Sequence, residues 1–363
     1  MPPPPRPRVR SDAAPRRHAA EARYRTRHVT RENAMPHAST RHSSGLMAAL
    51  AIGLVGLMPA FAAAQTVVGI ANLGPHPSIT QTIDGFKEEM ARLGYVEGRN
   101  TSYHYSDANF TQSLMPQMFT QLSSSRPAAI LTITTSVSQT ALSAVQDKSI
   151  PMVFAMVTDP VKAGLVPNWE RGGARFVGAS DIQDFDAVLA FGRKLFPNAR
   201  SFGTLFNPGE VNDVVTTQKL EAAAKAAGLA FKPVSVEAVG DIPQRMQLLR
   251  DVGFIYVTGS NLVQSAIPAV SAAANRLKVP ILSSETEFVK TGLATANYAV
   301  SLKSIGKNAA RLMDRVLKGE KPAALPVAKP VPQDYVTSIS RGKFKELGLV
   351  VPAEFDNCGC FVD

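Results

Sequence analysis

From Thr66 onward, short apolar runs rich in β-branched residues alternate with stretches whose apolar positions follow a helical period. Val67–Ala71 reads as a strand. Ile79, Ile83, Phe86, Met90 and Leu93 then share one face of a helix over Ile79–Leu93. Strands at Thr101–Tyr105, Ala129–Thr132 and Met152–Ala155 follow, separated by helices at Leu114–Leu122 and Ser138–Gln146. The pattern pauses over "ERGGARFVGASDI" (Glu170–Ile182), which is glycine-rich and reads as irregular, and then restarts. Helices at Ala187–Phe196, Val211–Ala227, Ile242–Arg250 and Leu262–Arg276 alternate with strands at Phe202–Phe206, Ala230–Val236, Phe254–Val257 and Pro280–Leu282. Alternation at this spacing implies right-handed βαβ units and parallel sheets. The expected class is therefore α/β, in two halves, each with its own sheet.

The end of the chain departs from two simple beads. Gly292–Tyr298 and Ser301–Leu317 read as one more strand and helix, and "KGEKPAALPVAKPVPQ" as a Pro-rich connector. A strand at Tyr335–Ile339 and a helix at Arg341–Leu347 come after it. Two lobes joined by several crossing segments account for this late material. The expected division gives 66–176 with 291–320 to the first lobe, 177–290 with 330–350 to the second, and 351–363 to a tail.

The N-terminal region has a different character. Gly45–Ala64, "GLMAALAIGLVGLMPAFAAA", carries no charge, follows Arg41 and ends in small residues. That is the layout of a secretory signal peptide, and its apolar core is shorter than the roughly 20 residues of a spanning helix. A retained membrane anchor is the competing reading, which Pro59 and the alanine run disfavour. Residues 1–34 are Pro- and Arg-rich and too poor in apolar side chains to fold, so they are expected to be a disordered basic extension. Translation from Met35 would make 35–64 an ordinary signal peptide and place the mature chain in the periplasm.

The net charge of +10 suggests a nucleic-acid partner until it is located. Ten of the 39 basic and three of the 29 acidic side chains precede residue 45. The remainder is nearly balanced and has no electrostatic footprint for DNA or RNA. Both cysteines, Cys358 and Cys360, fall in "DNCGC" near the end. A disulfide between positions two apart is geometrically awkward, so the tail is read as disordered. Four of the six histidines precede residue 45, which argues against a histidine-rich metal site.

In open parallel α/β sheets, ligands bind beyond the carboxyl ends of the strands, where helix N-termini offer free N–H groups. Six loops in those positions are polar. "NLGPHPS" carries His76 and Ser78, "ITTSVSQ" carries Thr134, Thr135 and Ser136, and "VTDP" carries Thr158 and Asp159. In the second half, "NPGEVND" carries Asn207, Glu210 and Asn212, "TGSNLVQ" carries Ser260 and Asn261, and "SSETEF" carries Glu285. Each loop alone is explained as well by helix capping or a plain turn. Their convergence on one side of the strands suits a cleft for a small polar ligand. Asp159→Ala is expected to weaken binding with little loss of stability. No G-x-S-x-G elbow, Walker A loop, H-E-x-x-H or G-x-G-x-x-G occurs, so nothing specifies catalysis.

Read in order, "HPSITQTIDGFKEEMARLGYVEGRN", "PMVFAMVTDPVKAGLV", "LFNPGEVND", "AAAKAAGLAF" and "RLMDRVLKGEKPAALPV" resemble the ABC-transporter substrate-binding protein family, TrpX-like branch, of the type I periplasmic-binding fold. The resemblance spans roughly 66–350. It implies two Rossmann-like lobes with parallel sheets, joined by a multi-segment hinge of three crossings, with the ligand held between them. It further implies delivery to an inner-membrane ABC permease served by a separate ATPase, with no cofactor. The protein is expected to be a monomer and to be no enzyme. The resemblance points to His76-Pro77, Thr135-Ser136, Thr158-Asp159-Pro160 and Asn207 with Glu210. Where the family commonly has an acidic residue before Asn, this chain has Ser260-Asn261, which leaves Asp159 or Glu285 to meet a ligand ammonium. An amino acid or another small carboxylate leads among ligands. Two other readings stay open: a periplasmic sensor signalling to a membrane receptor, and a periplasmic enzyme.

Overall fold

The computed structural model describes residues 65–362; the expected extension at 1–34 and the stretch read as a signal peptide at 35–64 lie outside the described residues. The first run of elements is β1 (Thr66–Asn72), α1 (Pro77–Arg92), β2 (Thr101–Asp107), α2 (Met115–Ser124), β3 (Ala129–Ile133), α3 (Thr135–Ala144), β4 (Met152–Ala155) and β5 (Phe176–Ala179). It continues with α4 (Phe185–Leu195), β6 (Ser201–Phe206), α5 (Val211–Ala227), β7 (Ala230–Ser235), α6 (Ile242–Met246), β8 (Phe254–Val257), α7 (Asn261–Ser265), α8 (Ile267–Leu277), β9 (Ile281–Ser283) and α9 (Thr286–Lys290). The last are β10 (Ala296–Val300), α10 (Leu302–Leu317), β11 (Tyr335–Ile339) and α11 (Arg341–Leu347).

Two sheets result, in the orders β2-β1-β3-β4-β5 and β11-β10-β9-β8-β6-β7. Every pairing between strands is parallel except β10 with β11. Burial explains the order. Central strands β3, β4 and β8 are buried at every position, as sheets covered on both faces require. One edge of each sheet is less buried: β2, with two buried residues of seven, and β7, whose Pro233 cannot donate to a neighbour.

The glycine-rich pause is not wholly irregular. Phe176–Ala179 is the edge strand β5, pairing with β4 from Met152↔Phe176 to Ala155↔Ala179. It is short, and Gly178, which reads as a breaker, is demanded by packing: a Cβ there would lie 2.1 Å from the Phe154 carbonyl. The segment expected to belong whole to the first lobe, 291–320, divides. β10 pairs with β9 and β11 in the second sheet, whereas α10 packs Ile305, Ala309 and Met313 into the first sheet's core beside Phe86, Ile130 and Phe154. The chain thus passes between lobes at 180–184, at Ser301 and at 329–334.

A strap beside β5 anchors the last crossing. Ala328 N–H donates to Gly178, Ser180 N–H donates to Ala328, and Val327 N–H donates to Trp169, all at 2.9–3.0 Å. Trp169 packs against the first lobe's core, and the Lys329 ammonium sits 4.8 Å from its ring centroid.

The first lobe's two long helices meet through glycine. A Cβ on Gly306 of α10 would lie 2.0 Å from the Thr82 carbonyl of α1, and one on Gly85 would lie 2.3 Å from that of Lys303. Backbone cannot step aside as a side chain can, so Gly306→Ala is expected to cost about 1–3 kcal/mol. Denaturant unfolding measures this; an unchanged midpoint would show the helices free to part.

Residues 351–362 pack against the second lobe, contrary to the disordered tail expected there. Ile339 N–H donates to Cys360 and Val362 N–H returns to Ile339, at 2.9 and 3.2 Å. Phe355 and Phe361 pack on the second lobe's core and anchor the segment, and Cys358 is joined to Cys360 by a disulfide.

Candidate functional site

The carboxyl ends of both sheets face one cleft. From the first lobe it is lined by Leu73, His76, Ser78, Ile79, Phe110, Thr134, Thr135, Met156 and Thr158. Asp181, Gln183 and Phe185 line it at the first crossing, and Val300, Leu302 and Ile305 around the second. The second lobe adds Asn212, Thr216, Tyr256, Thr258, Gly259, Asn261, Gln264, Ser265, Ser284 and Glu285. Each of the six polar strand-tip loops contributes at least one lining residue.

The lobes touch across this cleft. The Ser78 hydroxyl at the start of α1 donates to the Glu285 carboxyl at the start of α9. Gln81 Nε2 donates to Glu287 at 2.9 Å. His76 caps α1, its Nδ1 accepting from Ser78 N–H at 3.3 Å, while its ring meets Phe288 edge-to-face at 5.8 Å.

Eight expected residues line the cleft: His76, Ser78, Thr134, Thr135, Thr158, Asn212, Asn261 and Glu285. Five are placed elsewhere. Asp159 accepts from the N–H groups of Val161 and Lys162 at 3.1 and 3.0 Å, closing the turn after β4. Asn207 makes a local turn through Gly209 N–H, and Ser260 caps α7 by accepting from Val263 N–H. Ser136 stands behind Thr134, its hydroxyl 3.4 Å away. Glu210 is saturated: it accepts from the Asn261 backbone and side chain, from Leu262 N–H, and from Asn207 and Asn212. These groups form a scaffold behind the cleft wall.

The expected effect of Asp159→Ala changes accordingly. Losing the carboxylate acceptor of two backbone N–H groups lowers stability by about 1 kcal/mol, read in thermal unfolding. Ligand affinity stays within error in calorimetry; a tenfold loss would return Asp159 to the site.

Several lining groups were invisible to the strand-tip rule. Asp181 follows β5, a strand that the local pattern does not reveal. Tyr256 lies in the middle of an apolar run and looks like core; it is fully buried, but its hydroxyl has no partner. Asp181 Oδ1 and Thr258 Oγ1 are also buried without a partner. Such groups are rare in folded chains and call for an explanation. Three of the nine such atoms among the described residues belong to residues that line this cleft, within reach of a ligand held there.

Electrostatics sharpen the picture. The lining holds two carboxyl groups, Asp181 and Glu285, with no lysine or arginine. Burial raises the Asp181 carboxyl to about 6, although the Thr158 hydroxyl favours its charged form. Burial likewise raises Glu285 to about 8, helped by the charges of Asp181 and Glu287 and opposed by hydrogen bonding to Gln264. His76 is lowered by burial. Behind the wall, Asp213 is pushed up to about 8 by burial and by neighbouring Glu210.

On the opposite side, α3 presents its N-terminus. Thr134, at φ 84°, gives it no side-chain cap, which leaves first-turn N–H groups for an acceptor. Phe110 and Met156 also hold positive φ, 58° and 56°. Half of the six non-glycine residues with positive φ among the described residues therefore line the cleft, where backbone strain tends to be kept.

Comparison with known proteins agrees with this architecture. Residues 67–356 match the family model described as ABC transporter substrate binding protein, and the chain belongs to that family. It is 30% identical over 264 residues to a tyrosine-binding protein of Clostridioides difficile (strain R20291), covering 72% of this chain and 76% of that one. It superposes on the ABC domain in complex with L-Trp from Streptococcus pneumonia with a TM-score of 0.76 at 25% identity, covering 82% of this chain and all of that one. Against the ligand-free, open structure of a substrate-binding protein with adhesive properties from Clostridium difficile, the score is 0.63 at 27% identity, covering 82% and 99%. No helix among the described residues is long and apolar enough to cross a membrane.

Proposed function

We propose that this protein is the periplasmic substrate-binding component of an ABC importer and carries an α-amino acid with an aromatic side chain. The observation that carries the reading is the unpartnered Asp181 oxygen in the same cleft as the uncapped α3 N-terminus. A buried carboxylate meets an ammonium, and free helix-terminal N–H groups meet a carboxylate. Both charges of a zwitterion are answered without a lysine or arginine. Leu73, Ile79, Phe110, Met156 and Phe185 form the apolar lining for its side chain. The relatives that hold L-Trp or are named for tyrosine support this ligand class.

Hinge closure about the three crossings would bury the ligand, and a membrane permease with its own ATPase would receive it. Calorimetry with the common L-amino acids, and with sugars as comparators, tests the reading. L-tryptophan or L-tyrosine is expected to bind with a Kd of about 1 μM or tighter. Binding of a sugar with no response to any amino acid would remove it.

A further inference from the structure

We propose that Phe110 is the platform on which the ligand's flat aromatic side chain stacks, and so the residue that selects aromatic over aliphatic ligands. This rests on the amino-acid reading above and adds the specificity element to it. Nine large hydrophobic side chains are exposed among the described residues, and Phe110, at 38% exposure, is the one that lines the cleft. A phenyl ring left uncovered inside a binding cleft is the surface a ligand would cover.

The chain goes to some length to hold the ring there. Asn109 and Phe110 both sit in the left-handed region, at φ 45° and 58°, where residues with side chains are uncommon. The strained pair is pinned on each side. Asn109 N–H donates to Asp107 Oδ1 at 2.8 Å, Phe110 N–H to the Leu73 carbonyl at 2.8 Å, and Thr111 N–H to Ala108 at 2.7 Å. Two loops from different strands are thereby tied together at the ring.

Gly74 completes the support. A Cβ on Gly74 would lie 2.7 and 2.8 Å from Phe110 Cδ2 and Cε2, and 2.9 Å from its backbone nitrogen. One ring edge therefore rests on bare backbone, so the ring cannot fold back into the protein. Phe185 and Tyr256, already edge-to-face at 6.4 Å, also line the cleft. An aromatic ligand would gain from offset or edge geometry with such rings; an aliphatic one gains only from the area it buries.

Calorimetry with L-tryptophan and L-tyrosine, on the full chain and its variants, tests the platform, with thermal unfolding to check each fold. Phe110→Tyr, which keeps the flat face, is expected to bind within about twofold of the unmodified protein. Phe110→Leu keeps apolar volume without the face and is expected to lose about three- to tenfold, and Phe110→Ala about thirtyfold. Gly74→Ala, at a residue outside the cleft lining, should weaken binding similarly by displacing the ring. Phe110→Leu binding as tightly as the unmodified protein would overturn the platform while leaving the amino-acid reading intact. Failure of the unmodified protein to bind any amino acid would overturn the reading, and the platform with it.

Discussion

Asp181→Asn is expected to lower the affinity for an aromatic amino acid about a hundredfold at pH 7, with unfolding stability unchanged or raised. Removing one member of a buried ammonium–carboxylate pair costs 2–5 kcal/mol by analogy with charged groups in protein interfaces, and about 1.4 kcal/mol corresponds to tenfold. The stability half of the prediction has the opposite sign from that of an ordinary core residue. Asp181 Oδ1 is buried without a partner from the protein, so its charge opposes folding. An amide removes that charge while keeping the shape, the usual signature of a residue held for function at the expense of stability. Calorimetry gives the first number and denaturant unfolding the second. Equal affinity in the variant would leave the ligand ammonium to another group and dismantle the proposed pose.

The second large effect is on pH dependence. In the closed arrangement the Glu285 carboxyl is 3% exposed and bonded to Ser78 across the cleft. The groups acting on it are neutral Ser78 and Gln264 and acidic Asp181 and Glu287, with no cation. When the lobes part, water reaches the carboxyl and its ordinary value near 4.5 is restored, against about 8 when closed. The closed form therefore holds a proton that the open form releases. The contribution to closure is complete below the open value and is lost as pH rises toward the closed value.

Asp181 works the other way below about 6, because the proposed pairing with a ligand ammonium requires its charged form. His76 is lowered by burial, which favours its neutral form. Affinity is thus expected to fall as pH rises from 6 to 8, by at most about tenfold per pH unit, with net proton uptake on binding. Titration in buffers of different ionisation enthalpy counts the protons. Glu285→Gln keeps an acceptor for Ser78 and should abolish both slope and uptake; a slope that persists in it assigns the proton elsewhere.

The parts of the fold that could be read from sequence were those in which burial and period coincide. β3, β4 and β8 are apolar at nearly every position because both their faces are covered, and α1 shows its buried stripe plainly. β5 was lost because its four residues include a glycine that packing requires but local pattern treats as a break. The parting of β10 from α10 was also hidden, since period is a local property and says nothing about which sheet a strand joins. The same limit divided the site residues. Position after a strand picked out His76, Thr135 and Glu285 together with Asp159, Glu210 and Ser260, because oxygen-bearing side chains serve ligands and helix termini equally well. Only the direction of each side chain separates them. Asp181 and Tyr256 needed the opposite insight: a polar atom hidden among apolar neighbours with nothing to bond to.

Trp169 is the chain's single tryptophan, and its ring lies under the ammonium of Lys329, the first residue of the last interlobe crossing. Swinging the lobes apart would shift that cation relative to the indole and change its emission. With tyrosine as ligand and excitation on the red edge, where a phenol does not absorb, an unlabelled sample carries its own optical gauge of opening, and stopped-flow mixing could time the motion directly.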